Sequence, residues 1–139
     1  MSDKRVTFTR PDGGVSVLIP APGVPLKRVL QDVPEDAINV KVVAASDLPA
    51  DRTFRDAWSP CSKNGARVDV EKAKGVCHAA RRAKRAAEFA PLDAISTSPL
   101  FAVGAEADRQ KVRDKHANLQ TRIDAATDEA ALRAVLADL

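Results

Sequence analysis

The side chains with the widest chemical reach in this chain are Cys61, Cys77, His78 and His116, its only cysteines and histidines. A structural zinc site draws on Cys-x-x-Cys or His-x3–5-His pairs, because closely spaced ligands let one turn fix two corners of a tetrahedron. Neither spacing occurs, and adjacent Cys77 and His78 leave a helix from different faces. The plain reading is a small buried thiol beside an exposed imidazole, with no metal and no cofactor. A Cys/His nucleophilic pair needs an orienting carboxylate and donors for an oxyanion, and no spacing here supplies them. Ser96-Thr97-Ser98 lacks the frame of a nucleophile elbow. Gly13-Gly14 lacks the Gly-Lys-Ser/Thr of a phosphate loop. No catalytic residues are assigned, and the chain is not expected to be an enzyme.

What remains is surface chemistry. Lys74, His78, Arg81, Arg82 and Arg85 share one side of a predicted helix. Residues 72–85 carry six cations and no acid, a local +6 inside a net charge of +3. Such a stripe can grip phosphates or an acidic protein patch. The alternative is a solvated face, or one paired with acids such as Asp108, Asp114 and Asp124. No aromatic residue interleaves with these charges, which argues against a base-stacking single-strand binder. Phe54 and Trp58 stand four apart, so one helical turn would stack them on one face. In a chain with four Phe, one Trp and no Tyr they are expected to anchor the core; an exposed Trp58 would instead anchor an interface. The candidate protein-binding residues are thus Phe54, Trp58, Lys74, Arg81, Arg82 and Arg85.

The elements that must hold these residues follow from 139 residues, enough for one domain or a small domain with an appendage. Twenty-five residues are Ala, so helix is favoured while each buried side chain contributes little area. Val6 and Phe8 alternate with polar neighbours, Pro11-Asp12-Gly13-Gly14 is turn chemistry, and residues 15–19 read as a second strand, together a β-hairpin. A short helix is predicted over 25–31 and a third strand over 38–44. Residues 46–58 read as a helical turn or ordered loop, 59–65 as a polar loop, and 67–70 as a short strand or the lead-in to a helix. Helical periodicity covers 71–89, ending at Pro91, with Ala73, Val76, Cys77, Ala80, Ala83 and Ala87 as its apolar stripe. Residues 91–104 read as a linker whose Leu92, Ile95, Leu100, Phe101 and Val103 pack on something. A second helix over 105–125 has a narrow seam of Val112, Leu119 and Ile123 with His116 beside it. Thr127 is the expected N-cap of a last helix over 128–138, with Leu132, Val135, Leu136 and Leu139 on one stripe.

The expected fold is α+β, a small antiparallel N-terminal sheet followed by an α-helical C-terminal half. The expected domains are a β-rich 1–65 with its hairpin and a helical 66–139. Two cysteines make no disulfide framework and are read as reduced thiols. No apolar run reaches the length of a membrane span, and the opening residues 1–7 lack the apolar stretch of a signal peptide. A cytoplasmic setting is the expectation.

Two stretches carry a resemblance. Residues 7–17, Thr-Phe-Thr-Arg-Pro-Asp-Gly-Gly-Val-Ser-Val, with Pro20-Ala21-Pro22, and residues 50–58, Ala-Asp-Arg-Thr-Phe-Arg-Asp-Ala-Trp, resemble small proteins encoded in bacteriophage and prophage tail-gene clusters. So do Val68-Asp69-Val70 with Lys72-Ala73, and the C-terminal stretches 109–115 and 123–127 with Leu132. The chain departs from that pattern at 89–104, where a Ser/Pro-rich stretch stands between the helices. The resemblance implies a tail-fibre assembly or tail-accessory protein, with no catalytic residues to carry over. The expected function is a non-enzymatic phage accessory protein binding a tail or tail-fibre component, as an assembly chaperone or in the virion. A second copy of the chain is the other candidate partner. The alternative is a phage-encoded inhibitor of a host defence or nucleic-acid machine acting through the basic helix. No membrane partner is expected, and the expected location is the bacterial host cytoplasm or the virion.

Overall fold

The Pro-Asp-Gly-Gly turn does what its chemistry demands. Gly13 takes φ +84°, the Asp12 carboxylate accepts the Gly14 N–H at 2.8 Å, and the strands β1 (Lys4–Thr9) and β2 (Val15–Leu18) pair antiparallel on either side. That hydrogen bond from Gly14, ahead of the charge of Arg10, holds the Asp12 carboxyl below its usual range. A computed structural model describes residues 3–139; the first two residues of the segment read for a signal peptide lie outside them. Helix α1 (Leu26–Gln31) starts behind Pro25, and β3 (Ile38–Ala44) joins the far side of β1 to give the antiparallel order β2-β1-β3. The β1–β3 register shifts between Thr7 and Thr9. Asn39 accommodates the irregularity at φ 54°, a left-handed conformation that Asn tolerates, and its amide donates to Thr9 Oγ1 at 3.4 Å.

A second hairpin stands where a polar loop was expected. β4 (Trp58–Cys61) and β5 (Gly65–Val68) pair antiparallel around the turn at Ser62-Lys63-Asn64, with Gly65 at φ +83°. The hairpin packs on the first sheet, and Trp58 and Ala66 bury themselves with Val15, flanked by Val17, Leu48 and Val68. Gly65 is the point of closest approach, since a Cβ there would lie 2.8 Å from Thr7 Oγ1 and 2.9 Å from Val43 Cγ1. On the α1 side, Val29 is that helix's buried residue and packs toward β1, where Val6 and Phe8 are buried.

The C-terminal half is helical: α2 (Val70–Ser96), α3 (Ala102–Ala125) and α4 (Glu129–Ala137). The fold is thus α+β, a small antiparallel N-terminal sheet followed by an α-helical C-terminal half. The chain divides into two units, Met1–Lys72 and Ala73–Leu139, so β5 and the first turn of α2 belong with the N-terminal one. Asp69 caps α2, its carboxylate accepting the Lys72 N–H at 3.2 Å and the Ser59 hydroxyl at 3.3 Å.

Three expectations are corrected. Pro91 does not end its helix, which runs on to Ser96. Good helix formers flank the proline on both sides, and just beyond it Asp93 forms an ion pair with Arg109 Nε at 3.1 Å. The linker is correspondingly short, residues 97–101. At α4 the cap is Asp128 rather than Thr127, its carboxylate accepting the Ala131 N–H at 2.8 Å.

Candidate functional site

Helices α2 and α3 form an antiparallel hairpin, and its seam changes character along its length. Near its base the seam is apolar: Ala73 and Cys77 on α2, Leu119 and Ile123 on α3, and Leu132 and Val135 from α4 are all buried. Each large aliphatic among them contributes about 1.5–3 kcal/mol of burial. The Cys77 thiol lies 3.9 Å from the Leu132 carbonyl, and burial raises its pKa. Farther out the buried positions are polar. Arg81 is 8% exposed and His116 is 1% exposed. Glu88 meets Lys115 Nζ at 2.8 Å and His116 Nε2 at 3.4 Å. The hydrogen bond from Lys115 keeps Glu88 below the usual carboxylate range, while burial pushes His116 below the usual imidazole range. The expected apolar stripe of α2 therefore holds only in part. Ala73 and Cys77 are buried, but Ala83 and Ala87 are exposed, because the inward positions there belong to Arg81 and Glu88.

The basic stripe is divided in the same way. Lys74 donates to the Asp124 carbonyl at 3.1 Å, and His78 Nε2 sits 2.9 Å from the Asp124 carboxylate. Arg81, Arg82 and Arg85 instead line a cleft of about 330 Å³ with Arg113, His116 and Gln120 of α3. Arg85 stacks on the Phe89 ring at 4.7 Å, and Arg113 Nη1 bonds Glu106 at 2.8 Å and Gln110 at 2.9 Å. Of the acids considered as partners for the stripe, Asp124 serves. Asp108 pairs with Lys111 at 3.8 Å, and Asp114 accepts from Gln110 at 2.9 Å.

The hairpin's turn carries side chains of the opposite kind. Leu100 is 88% exposed, Phe101 60% and Val103 84%, with Ile95 also exposed beside them. They do not pack on another element as the linker reading expected. The turn lies at the end of the hairpin remote from α4, whose own contacts are with the C-terminal end of α3 through Arg122–Asp138 at 2.7 Å and Leu132. Exposed apolar residues adjoining one another on a surface mark a contact site more often than isolated ones do.

Phe54 and Trp58 are both buried in the N-terminal unit. They do not share a helical turn: a single 3-10 turn, Arg55–Ala57, separates them and Trp58 opens β4. The Arg55 guanidinium lies 4.5 Å over the Trp58 ring, and both line a groove with Arg5, Leu48 and Arg52. Ile38, Val40 and Val42 expose a further apolar row along β3, an edge strand. The spacing of two that made β3 legible also places these three on one side, but nothing in the sequence says that the side is left open.

Cys61 and His116 lie in different units and Cys77 is buried beside an apolar seam. Among the described residues no three His, Cys, Asp or Glu side chains gather to hold a metal ion, and no helix is long and apolar enough to cross a membrane. No protein-family model, curated protein or solved structure matches the chain.

Proposed function

We propose that this chain is a non-enzymatic accessory protein that works by docking on another protein, with the turn of the helical hairpin as the contact. The observation that carries the reading is the exposure of Leu100, Phe101 and Val103 together at that turn. A hairpin whose outer half is closed by ion pairs gains little from its own apolar burial, so a partner that covers the turn adds stability through linkage. The resemblance of residues 7–17 and 50–58 to tail-cluster proteins supports a phage tail or tail-fibre component as that partner, met in the host cytoplasm during assembly or kept in the virion. The alternative, inhibition of a host nucleic-acid machine through the basic helix, draws less support, because Lys74 and His78 turn to Asp124 and the stripe is interrupted.

The test is co-expression with tail and tail-fibre proteins one at a time, followed by purification and sizing. A stable complex is expected with one of them, and loss of it when Leu100→Ser, Phe101→Ser and Val103→Ser are combined. A lone chain in every pairing, or a complex indifferent to the triple substitution, refutes the reading.

A further inference from the structure

We propose that the cleft between α2 and α3 is a binding site for a single phosphate group, carried by inorganic phosphate or a small phosphate monoester. Three observations converge on it. Arg81 is nine-tenths buried, and its Nε has no hydrogen-bond partner. A buried N–H left without an acceptor costs free energy, and an anion seated in the cleft beside this guanidinium would offset that cost.

The second observation is the charge of the lining. Arg81, Arg82, Arg85 and Arg113 face the cleft, and no carboxylate is among its lining residues. Glu106 engages Arg113, while Glu88 engages Lys115 and His116. Neither forms an ion pair with Arg81, Arg82 or Arg85. A dianion matches this excess better than a monoanionic carboxylate does, and guanidinium forks suit phosphate oxygens.

The third is shape. Donors come from both walls, α2 and α3, which suits a ligand that accepts in several directions. A polyanion tracking along the helix would need the stripe to continue through His78 and Lys74, and Asp124 occupies both. The cation over Phe89 holds Arg85 in place without consuming its hydrogen bonds.

The intact chain is titrated with inorganic phosphate, then phenyl phosphate, glutarate and a single-stranded oligonucleotide, by calorimetry in phosphate-free buffer. Saturable binding of inorganic phosphate and phenyl phosphate at one site per chain is expected, with glutarate at least about tenfold weaker. Binding of phenyl phosphate without inorganic phosphate would place the source in an esterified ligand and still support the site. Arg82→Gln and Arg85→Gln, both at exposed positions that leave the fold intact, are each expected to weaken phosphate about tenfold, the loss of one charge-assisted hydrogen bond. Arg81→Gln should abolish binding, and Lys84→Gln, exposed and outside the cleft, should change it less than twofold. Three results would overturn the proposal: no binding of either phosphate, binding unchanged in both Arg82→Gln and Arg85→Gln, or affinity for the oligonucleotide that grows with its length while phosphate fails to compete.

Discussion

Replacing Gly65 by Ala tests how the second hairpin is seated on the sheet. Gly65 has φ +83°, and a Cβ there would come within 2.8 Å of Thr7 Oγ1 and 2.9 Å of Val43 Cγ1. Both neighbours are β-branched and buried on paired strands, so neither can rotate away cheaply. The left-handed backbone costs an L-residue about 1–2 kcal/mol. Overpacking against rigid neighbours adds ~1–3 kcal/mol. The expected destabilisation is about 3 kcal/mol, a large part of the stability of a domain this size. Two other glycines separate the contributions. Gly13 has φ +84° with open space around it, so Gly13→Ala should carry the backbone part alone. Gly75 is helical with open space, so Gly75→Ala should stabilise by about 0.5–1 kcal/mol. Urea unfolding followed by Trp58 fluorescence and far-ultraviolet dichroism gives all three values. If Gly65→Ala fell within about 0.5 kcal/mol of Gly13→Ala, the close approach to Thr7 and Val43 would be wrong.

Acidification is expected to weaken the helical half in two stages. His116 has a lowered folded pKa, so the unfolded chain binds the extra proton; stability is full above the ordinary imidazole value of 6.5 and falls as pH drops below it. Glu88, also lowered, keeps its contribution above 4.5 and loses it as pH falls through its folded value. His116→Gln should flatten the first stage and leave the second, read from urea midpoints across pH. Thiol labelling with iodoacetamide should modify Cys61 first, because backbone N–H groups of Asn64 and then Lys63 favour its thiolate, while buried Cys77 reacts only on unfolding; equal rates would contradict this. Asp69→Ala should lower stability by about 1 kcal/mol through loss of the α2 cap, seen as a shifted urea midpoint with unchanged slope.

The N-terminal sheet was legible because its signals are local. Pro11-Asp12-Gly13-Gly14 names a turn, and the alternation in 38–44 names a strand. The β4–β5 hairpin is masked by its polar composition: Asn64-Gly65 is a hairpin signal, but Pro60 inside Trp58–Cys61 speaks against a strand. That proline sits on an exposed position of a two-stranded ribbon, where it is tolerated. Pro91 points the opposite way: its penalty is local, whereas the Arg109–Asp93 pair on the stretch beyond it joins residues apart in sequence. The basic stripe was visible from spacing, but its division was not. Asp124 reaches Lys74 and His78 only once the two helices lie antiparallel, and the same geometry turns Arg81 inward beside His116. Leu100, Phe101 and Val103 are apolar and so predict cover; exposure depends on what stands nearby, which periodicity does not encode.

The change of seam along the helical hairpin sets how it comes apart. Hydrocarbon packing at Cys77, Leu119 and Ile123 is indifferent to ionic strength, whereas Glu88–Lys115 and Asp93–Arg109 weaken as salt rises. The two arms can therefore part from the far end like an unzipped fastener while the near end stays shut. Amide hydrogens around Asp93 and Arg109 would then exchange soonest and those around Cys77 and Ile123 last, with added salt widening the gap.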